Sequence, residues 1–243
     1  MDVPDLPLPD EARIHALEPA SDDVLVVRLR LPPTAEFAFL PGQSIEVIGF
    51  GGVRRSYSLA AAPAPNTPLE LHVRRVPGGE MSAYWFERAK EGDLLRLQGP
   101  FGSFVLRDVA GADLIFLATG TGFAPVKAML EGLAALPPDR APRSVAVYRG
   151  GRTESDLYGD VSALPADRWV PVLSRPSATW AGRRGHVQDV LLADRPDLGR
   201  ARVYACGSPA MVGDAEAALR AAGLPAGRFF SDAFVPSSTA SEP

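Results

Sequence analysis

Residues 114–125 read Leu114-Ile115-Phe116-Leu117-Ala118-Thr119-Gly120-Thr121-Gly122-Phe123-Ala124-Pro125. The five consecutive apolar residues are typical of a parallel strand that is covered on both faces. The glycine-rich turn after them, and the proline that opens the next segment, indicate a strand, a tight loop and a helix. An open α/β sheet binds its ligands at this place, outside the carboxyl end of a strand. Pro125 replaces the third glycine of the dinucleotide fingerprint, yet the placement favours dinucleotide binding over a plain loop.

The rest of the C-terminal half alternates strands with helices. Further strands are predicted over 145–148, 169–173 and 203–205, and helices over 125–136, 187–193 and 209–222, with Gly223 ending the last helix. This alternation indicates an α/β domain with a parallel sheet. We assign residues 110–235 to it and expect a flexible tail over 236–243.

The sequence pattern of the N-terminal half is typical of an all-β domain, because its short apolar runs are separated by glycine and proline. Strands are predicted over 13–17, 24–31, 44–48, 56–60, 69–76 and 94–97, with one helix over 82–90. Many short strands within about 100 residues indicate a small antiparallel barrel. We assign residues 11–109 to this barrel and expect an extended arm over 1–10.

Composition excludes several classes of protein. The chain has 243 residues, 46% hydrophobic and 22% charged, with a net charge of -4 that argues against nucleic-acid binding. The single cysteine and three histidines leave no disulfide, cysteine-ligated cluster or metal site within these residues. No apolar run is long enough to cross a membrane, and the acidic, proline-rich start is unlike a signal peptide. We therefore expect a cytoplasmic protein without a metal.

Two motifs in the N-terminal half could bind a cofactor. Arg55-Ser56-Tyr57-Ser58 on a predicted strand combines a guanidinium that can pair with phosphate, a ring and hydroxyls. Gly78-Gly79-Glu80-Met81-Ser82 opens the predicted helix with glycines and backbone N–H groups that suit a pyrophosphate. Taken singly, the first is compatible with ordinary surface, and the second with a tight turn capped by Ser82.

Three further motifs follow along the chain. Gly99-Pro100-Phe101-Gly102 is by itself a turn between strands. Cys206-Gly207-Ser208-Pro209 repeats the strand-end arrangement, although a buried small cysteine is the simpler interpretation. Phe229-Phe230-Ser231-Asp232-Ala233-Phe234 is compatible with a final core strand or with a cofactor lid.

In their joint order these motifs are specific. The chain resembles the ferredoxin–NADP(+) reductase superfamily over residues 12–235, in the branch of bacterial oxygenase reductases, CDP-6-deoxy-glucoseen reductase-like proteins and NAD(P)H–flavin reductases. The resemblance implies two domains: a six-stranded antiparallel Greek-key β-barrel that binds flavin, and an α/β parallel-sheet domain that binds the nicotinamide nucleotide.

The resemblance also implies which residues hold FAD. Arg55 would hold a flavin phosphate, Tyr57 would pack against the ring system, and Ser58 would hydrogen-bond near its reactive nitrogen. The other residues expected to border FAD or to hold its pyrophosphate are Ser56, His72, Val73, Arg74, Gly79, Met81 and Ser82.

On the nicotinamide side, the resemblance implies a second set. The residues expected to hold the dinucleotide are Thr119, Gly120, Thr121, Gly122, Pro125, Cys206 and Gly207. Phe234 would stack on the flavin and yield to nicotinamide, and Asp232 would lie at the same site. The residues expected to act in catalysis are Ser58, Cys206, Asp232 and Phe234.

Basic residues after the strand over 169–173 bear on nucleotide choice. Ser174-Arg175 resembles the pair that NADPH-dependent relatives use on the 2′-phosphate, and Arg183 could add charge. No acid stands there, so we expect NADPH to be preferred to NADH; the alternative is that these arginines are solvated surface.

The expected function is an FAD-dependent NAD(P)H oxidoreductase. It would take hydride from NAD(P)H onto flavin and pass electrons to a separate acceptor, such as a ferredoxin or oxygenase component. The chain would be a monomer with no nucleic-acid or membrane partner. The alternative is an NAD(P)H–flavin reductase that releases reduced free flavin, and a distant one is a non-catalytic flavin- or nucleotide-binding sensor.

Overall fold

The structure, a computed structural model, describes residues 11–35, 37–49 and 52–234. The predicted arm over 1–10 and tail over 236–243 lie outside these residues. Within them the chain forms an antiparallel sheet followed by a parallel one. This confirms the predicted two-part fold.

The N-terminal domain contains six strands among the described residues. They are β1 Glu11–Ser21, β2 Val24–Arg30, β3 Ser44–Ile48, β4 Arg54–Ser58, β5 Leu69–Arg74 and β6 Leu94–Phe101. The order is β4-β3-β6-β1-β2-β5, and every pairing is antiparallel. Leu59, just after β4, bridges to Leu71 in β5 and so joins the two edges of the sheet into a barrel.

The helix of the barrel domain differs from the prediction. It begins at Glu80 rather than Ser82, runs as α1 over Glu80–Ala83 and continues as a wider π-helical turn over Tyr84–Arg88. Gly79 is the N-cap, so the predicted cap at Ser82 is wrong. The Ser82 hydroxyl instead accepts a hydrogen bond from the Val76 amide at 2.7 Å, because the preceding turn brings that N–H back over the helix.

The C-terminal domain is a six-stranded parallel sheet with helices on both faces, as far as the structure describes it. Its strands are β7 Asp113–Thr119, β8 Ser144–Gly151, β9 Arg168–Leu173, β10 Arg183–Arg184, β11 Ala201–Gly207 and β12 Phe229–Ala233. Its helices are α2 Phe123–Ala134, α3 Val187–Ala193 and α4 Pro209–Ala221. The predicted start of α2 at Pro125 is two residues late, and β10 and the short turns Pro138–Arg140 and Glu154–Asp156 were not predicted.

The strand order places a crevice at the carboxyl edge of this sheet. The order is β10-β9-β8-β7-β11-β12, so the chain winds outward from β7 through β8 to β10 and then returns to β11 on the other side. Such a reversal leaves a gap where the loops after β7 and β11 diverge in opposite directions. Among the described residues no helix is both long and apolar enough to cross a membrane.

An ion pair between a buried carboxylate and a half-exposed arginine anchors the opposite, amino-terminal edge of the sheet. Asp113 at the start of β7 is 8% exposed and accepts hydrogen bonds from Arg143 Nε at 2.8 Å and Ser144 Oγ at 2.6 Å. A second Arg143 nitrogen donates to its other oxygen. Hydrogen bonding from Arg143 lowers the pKa of Asp113, against the opposing effect of burial.

Replacing this carboxylate tests its contribution. We expect Asp113→Asn to lower the free energy of unfolding at pH 7 by about 1–2 kcal/mol, because the guanidinium loses a charged acceptor. Since the folded pKa lies below the ordinary 3.8, the stabilisation is complete above that value and is lost as the pH falls below it. Urea unfolding of both proteins at pH 7 and pH 3 measures the difference, which must shrink at pH 3. The control is Asp214→Asn on the exposed face of α4, which should change little at either pH.

Candidate active site

A cleft of about 1240 Å³ lies between the barrel and the parallel sheet. Drug-sized ligands fill pockets of roughly 300–1,000 Å³, so this cleft has room for more than one such group. The predicted site residues that line it are Arg55, Ser56, Tyr57, Ser58, His72, Arg74, Gly79, Met81, Ser82, Thr119, Gly120, Thr121, Ser174, Gly207 and Phe234. The fold thus gathers residues from both halves of the chain around a common space.

Strand β4 forms one side of the barrel wall. Arg55 lines the cleft, and its guanidinium donates a hydrogen bond to the carbonyl of Arg54. The Tyr57 hydroxyl accepts a hydrogen bond from Trp85 Nε1 at 2.9 Å, and the two rings meet edge to face. Burial raises the pKa of Tyr57 to about 12. Tyr57 is therefore a neutral, fixed ring, and Ser58 beside it is buried and also lines the cleft.

Strand β5 forms the neighbouring part of the barrel wall, and its residues alternate between two environments. His72 and Arg74 line the cleft, whereas the Val73 side chain between them packs in the barrel core. This alternation is the period of a β-strand, in which successive side chains point to opposite faces. Val73 can therefore reach the cleft only through its main chain.

The start of α1 contributes backbone donors. Gly78 has φ of +73°, a conformation that side chains disfavour, and it turns the chain into the helix. Gly79, Met81 and Ser82 line the cleft at this point. The first N–H groups of a helix lack acceptors within it. The N–H of the N-cap Gly79 donates to the Val76 carbonyl at 3.0 Å, so the N–H groups after it are the ones available to an anion.

Close backbone contacts shape the sheet side of the cleft. A Cβ on Gly122 would lie 2.2 Å from the Cys206 carbonyl oxygen, and one on Gly207 would lie 2.0 Å from Thr119 Oγ1. Gly122 is buried and does not line the cleft, and Pro125 lies buried in the first turn of α2. These residues hold the loop after β7 against the end of β11 and leave Gly120 and Thr121 facing the cleft.

The ends of β11 and β12 bring three predicted catalytic residues together. Cys206 pairs with Asp232 in the parallel ladder, and the Phe234 amide donates to the Gly207 carbonyl at 2.9 Å. The Cys206 side chain is fully buried behind the cleft wall, and burial raises the pKa of its thiol. Burial also raises the pKa of Asp232, which lies outside the lining of the cleft. Phe234 reaches the cleft itself.

The predicted nucleotide-selecting residues separate in the structure. Ser174 lines the cleft and Arg175 is exposed next to it, whereas Arg183 is ion-paired with Asp194 at 2.8 Å, outside the lining. Arg152, which sequence reasoning missed, also lines the cleft, and its carbonyl accepts a hydrogen bond from the Arg175 amide at 2.8 Å. Its position directly after the strand end Gly150-Gly151 could have revealed it, since strand ends along this edge meet in the crevice.

The residues present suit FAD and a nicotinamide dinucleotide. The barrel side offers the Arg55 guanidinium and the free N–H groups at the start of α1, which are the donors that phosphate groups need. It also offers the fixed Tyr57 ring for a flat cofactor. The sheet side offers a glycine loop at a strand end, which lets a backbone approach closely. Among the described residues no group of three or more His, Cys, Asp and Glu could hold a metal ion.

Comparison with known proteins gives matches over both domains. Residues 11–106 match the oxidoreductase FAD-binding domain family, and residues 116–217 match the oxidoreductase NAD-binding domain family. The chain is similar to the CDP-6-deoxy-L-threo-D-glycero-4-hexulose-3-dehydrase reductase of Yersinia pseudotuberculosis, with 43% identity over 230 residues that cover 93% of this chain and 68% of that protein.

Two other relatives carry the same pair of domains. The terephthalate 1,2-dioxygenase reductase component 1 of a Comamonas species is 35% identical over 241 residues, covering 95% of this chain and 69% of that protein. The crystal structure of a cytochrome P450 reductase from Amycolatopsis superposes with a TM-score of 0.85 and 33% identity, covering 96% of this chain and 72% of the other. With its barrel, its parallel sheet and the cleft between them, the chain belongs to the ferredoxin–NADP(+) reductase superfamily of FAD- and NAD-binding oxidoreductases.

Proposed function

We propose that this protein takes hydride from NAD(P)H onto FAD and passes electrons to a separate protein, such as a ferredoxin or an oxygenase or dehydrase component. The observation that carries the proposal is the cleft, in which Arg55, Tyr57 and the start of α1 face Gly120 and Thr121 of the glycine loop. The names of two relatives support the acceptor, because each is the reductase of a dehydrase or of a dioxygenase.

In this proposal each side of the cleft holds its own cofactor. When bound, FAD supplies a ring that takes up two electrons and can release them one at a time. Arg55 and the N–H groups of α1 bind its phosphates, and Tyr57, fixed by Trp85, orients the ring. The glycine loop after β7 binds the dinucleotide, while Phe234 covers the space until nicotinamide displaces it.

Two ionisable side chains at the proposed site, those of Tyr57 and Cys206, are neutral. Tyr57 keeps its proton because its pKa is about 12, and the buried Cys206 keeps its proton because its pKa is also raised. Neutral groups here place no fixed negative charge against an electron-rich flavin. The proposed roles of Ser58, Cys206, Asp232 and Phe234 are thus to position and shield the reacting rings.

The visible spectrum of the purified protein tests this function. We expect a yellow protein that retains FAD through gel filtration and loses its visible flavin absorbance when NADPH is added without oxygen. A colourless protein that turns over only with added free flavin would favour the flavin reductase. A flavin that NADPH and NADH both leave oxidised would contradict any reductase and favour the sensor.

Arg55 gives a sharper test of the FAD side. We expect Arg55→Ala to weaken FAD binding by about 10–100-fold, the loss of a charged hydrogen bond to phosphate. Arg54→Ala is the matched control, because Arg54 is the adjacent residue on β4 and its guanidinium binds Gln98 and Glu46 on the outer face. Fluorescence titration of apoprotein with FAD measures both. Equal FAD affinity in the two variants would remove Arg55 from the site.

Nucleotide choice has its own test. We propose that Ser174 and Arg175, joined by Arg152 across the strand-end loops, favour NADPH over NADH. We expect Arg175→Ala to lower the ratio of kcat/KM for NADPH over NADH by about ten-fold. Arg140→Ala, at an exposed arginine on the opposite edge of the sheet, is the control and should leave the ratio unchanged. A wild-type preference for NADH would refute the assignment.

A further inference from the structure

Strand β5 has an apolar face that packs in the barrel core and a polar face that contacts the parallel-sheet domain. Leu71 and Val73 point into the barrel core, while Glu70, His72 and Arg74 alternate with them toward the parallel-sheet domain. Glu70 and His72 are 9% and 7% exposed. Buried polar groups of this kind need partners, because an unpaired one costs free energy.

Each of the three residues has a partner in the parallel-sheet domain. Glu70 Oε1 lies 3.1 Å from Lys127 Nζ, His72 Nδ1 lies 3.0 Å from the Tyr158 hydroxyl, and Arg74 Nη2 lies 3.6 Å from Asp156 Oδ1. We call these residues the β5 seam: Glu70, His72 and Arg74 with Lys127, Tyr158 and Asp156. It joins the two domains beneath the cleft, and His72, Arg74 and Asp156 also line it.

The direction of the central hydrogen bond follows from the charges. Burial opposes ionisation of Glu70, but the hydrogen bond from His72 and the charge of Lys127 outweigh it and lower the pKa of Glu70 to about 2. Burial lowers the pKa of His72, so its ring is neutral. A carboxylate can only accept, so the proton lies on Nε2, which is 3.2 Å from Glu70. Nδ1 is then the acceptor, and the Tyr158 hydroxyl donates to it.

Tyr158 connects this bond to both loops on the nucleotide side. It follows the loop that carries Arg152 and Asp156 along the cleft, and its carbonyl accepts a hydrogen bond from Arg149. The Arg149 guanidinium lies 3.9 Å from the ring centroid of Phe123 and 4.9 Å from that of Tyr158. Phe123 follows Gly120–Gly122 directly. One buried hydroxyl therefore ties the strand beside the flavin to the elements that would hold nicotinamide.

We propose that Tyr158 is a positioning residue for hydride transfer: through His72 it fixes the nucleotide-binding loops relative to β5. The inference rests on the proposed function. Transfer between two stacked rings depends steeply on their separation, so a small shift of one domain slows it. The ion pair between Lys127 and Glu70 holds the same interface two residues away on β5. Without the Tyr158 hydroxyl, the two domains would therefore shift slightly but would not separate.

The test is Tyr158→Phe, which removes the hydroxyl and keeps the ring under Arg149. We expect flavin reduction at saturating NADPH to slow by about ten-fold, because misplacement of reacting groups is costly. Stopped-flow absorbance measures it. Dissociation constants for FAD and NADPH should stay within about two-fold of the wild type, because no contact to either is removed. Hydrogen exchange of the protein without nucleotide should speed up over residues 69–74 and 152–158.

Tyr148→Phe is the matched control. Tyr148 is 2% exposed on β8 of the same domain, and its hydroxyl donates to Asp194 at 2.8 Å, outside the lining of the cleft. The Tyr148→Phe variant also loses one tyrosine hydrogen bond of the same domain, although a less buried one. It should reduce flavin at the wild-type rate with unchanged hydrogen exchange over 69–74.

Three results would overturn the proposal. The first is that flavin reduction slows equally in Tyr158→Phe and Tyr148→Phe. The second is that Tyr158→Phe reduces flavin at the wild-type rate. The third is that Tyr158→Phe leaves hydrogen exchange over residues 69–74 unchanged. Failure of the proposed function looks different, since the wild type itself would then not reduce its flavin. Hydrogen exchange in Tyr158→Phe would still decide whether Tyr158 fixes the interface between the two domains.

Discussion

The cleft depends on two strand ends that meet closely because each contact is made at a glycine. Gly122 lies against the Cys206 carbonyl, and Gly207 lies against the Thr119 hydroxyl, so closely that a methyl group would fit at neither position. The contact at Gly122 is with backbone, which side-chain movement cannot relieve. The contact at Gly207 is with the Thr119 and Met211 side chains, and the φ of +155° at Gly207 is itself a conformation that side chains rarely adopt. The result is a crevice at the point where the sheet reverses direction, with Gly120 and Thr121 lining one side.

The second requirement is that the barrel face this crevice in a defined orientation. An apolar interface alone would tolerate sliding, because hydrophobic burial has no direction. Strand β5 supplies direction through Glu70 and His72, which contact Lys127 and Tyr158 of the other domain. Arg74 adds a longer ion pair across the interface, to Asp156 at 3.6 Å, while it is held at 2.9 Å by Asp23 of the barrel domain. The charge of Glu70 is matched by Lys127 and by Arg28 at 3.3 Å, as burial of an ion requires. The same strand thus packs one face into the barrel core and orients the two domains with its other face.

These constraints agree with chemistry that the cofactors supply. The protein contributes binding, orientation and electrostatics, and it has no need of a strong acid or base at the reacting atoms. Tyr57 and Cys206 fit this division, since burial keeps each in its neutral form. Of the charged residues that line the cleft, Arg55 and Arg152 are the ones proposed to meet phosphates.

The local sequence determined the elements and their order. The many short apolar runs of the first half, the apolar run 114–118 and the glycine loop after it were sufficient to predict an antiparallel domain, a parallel sheet and a strand-end site. Each of these signals is short-range, because it depends on neighbours within a turn or a strand. Even so, the start of α1 was misplaced, since the bond from the Val76 amide occupies the Ser82 hydroxyl that local pattern assigned to capping.

Tertiary structure decided which predicted residues share the cleft and which do not. The Val73 side chain packs in the barrel core, and the Cys206 side chain is buried behind the cleft wall. Arg183 forms an ion pair with Asp194 outside the cleft, whereas Arg152, which was not predicted, lines it. The partners of β5 were equally hidden, because Lys127 and Tyr158 lie 57 and 86 residues away from Glu70 and His72 in the chain. Contacts over such separations are created by the packing of two domains, and no pattern within either segment encodes them.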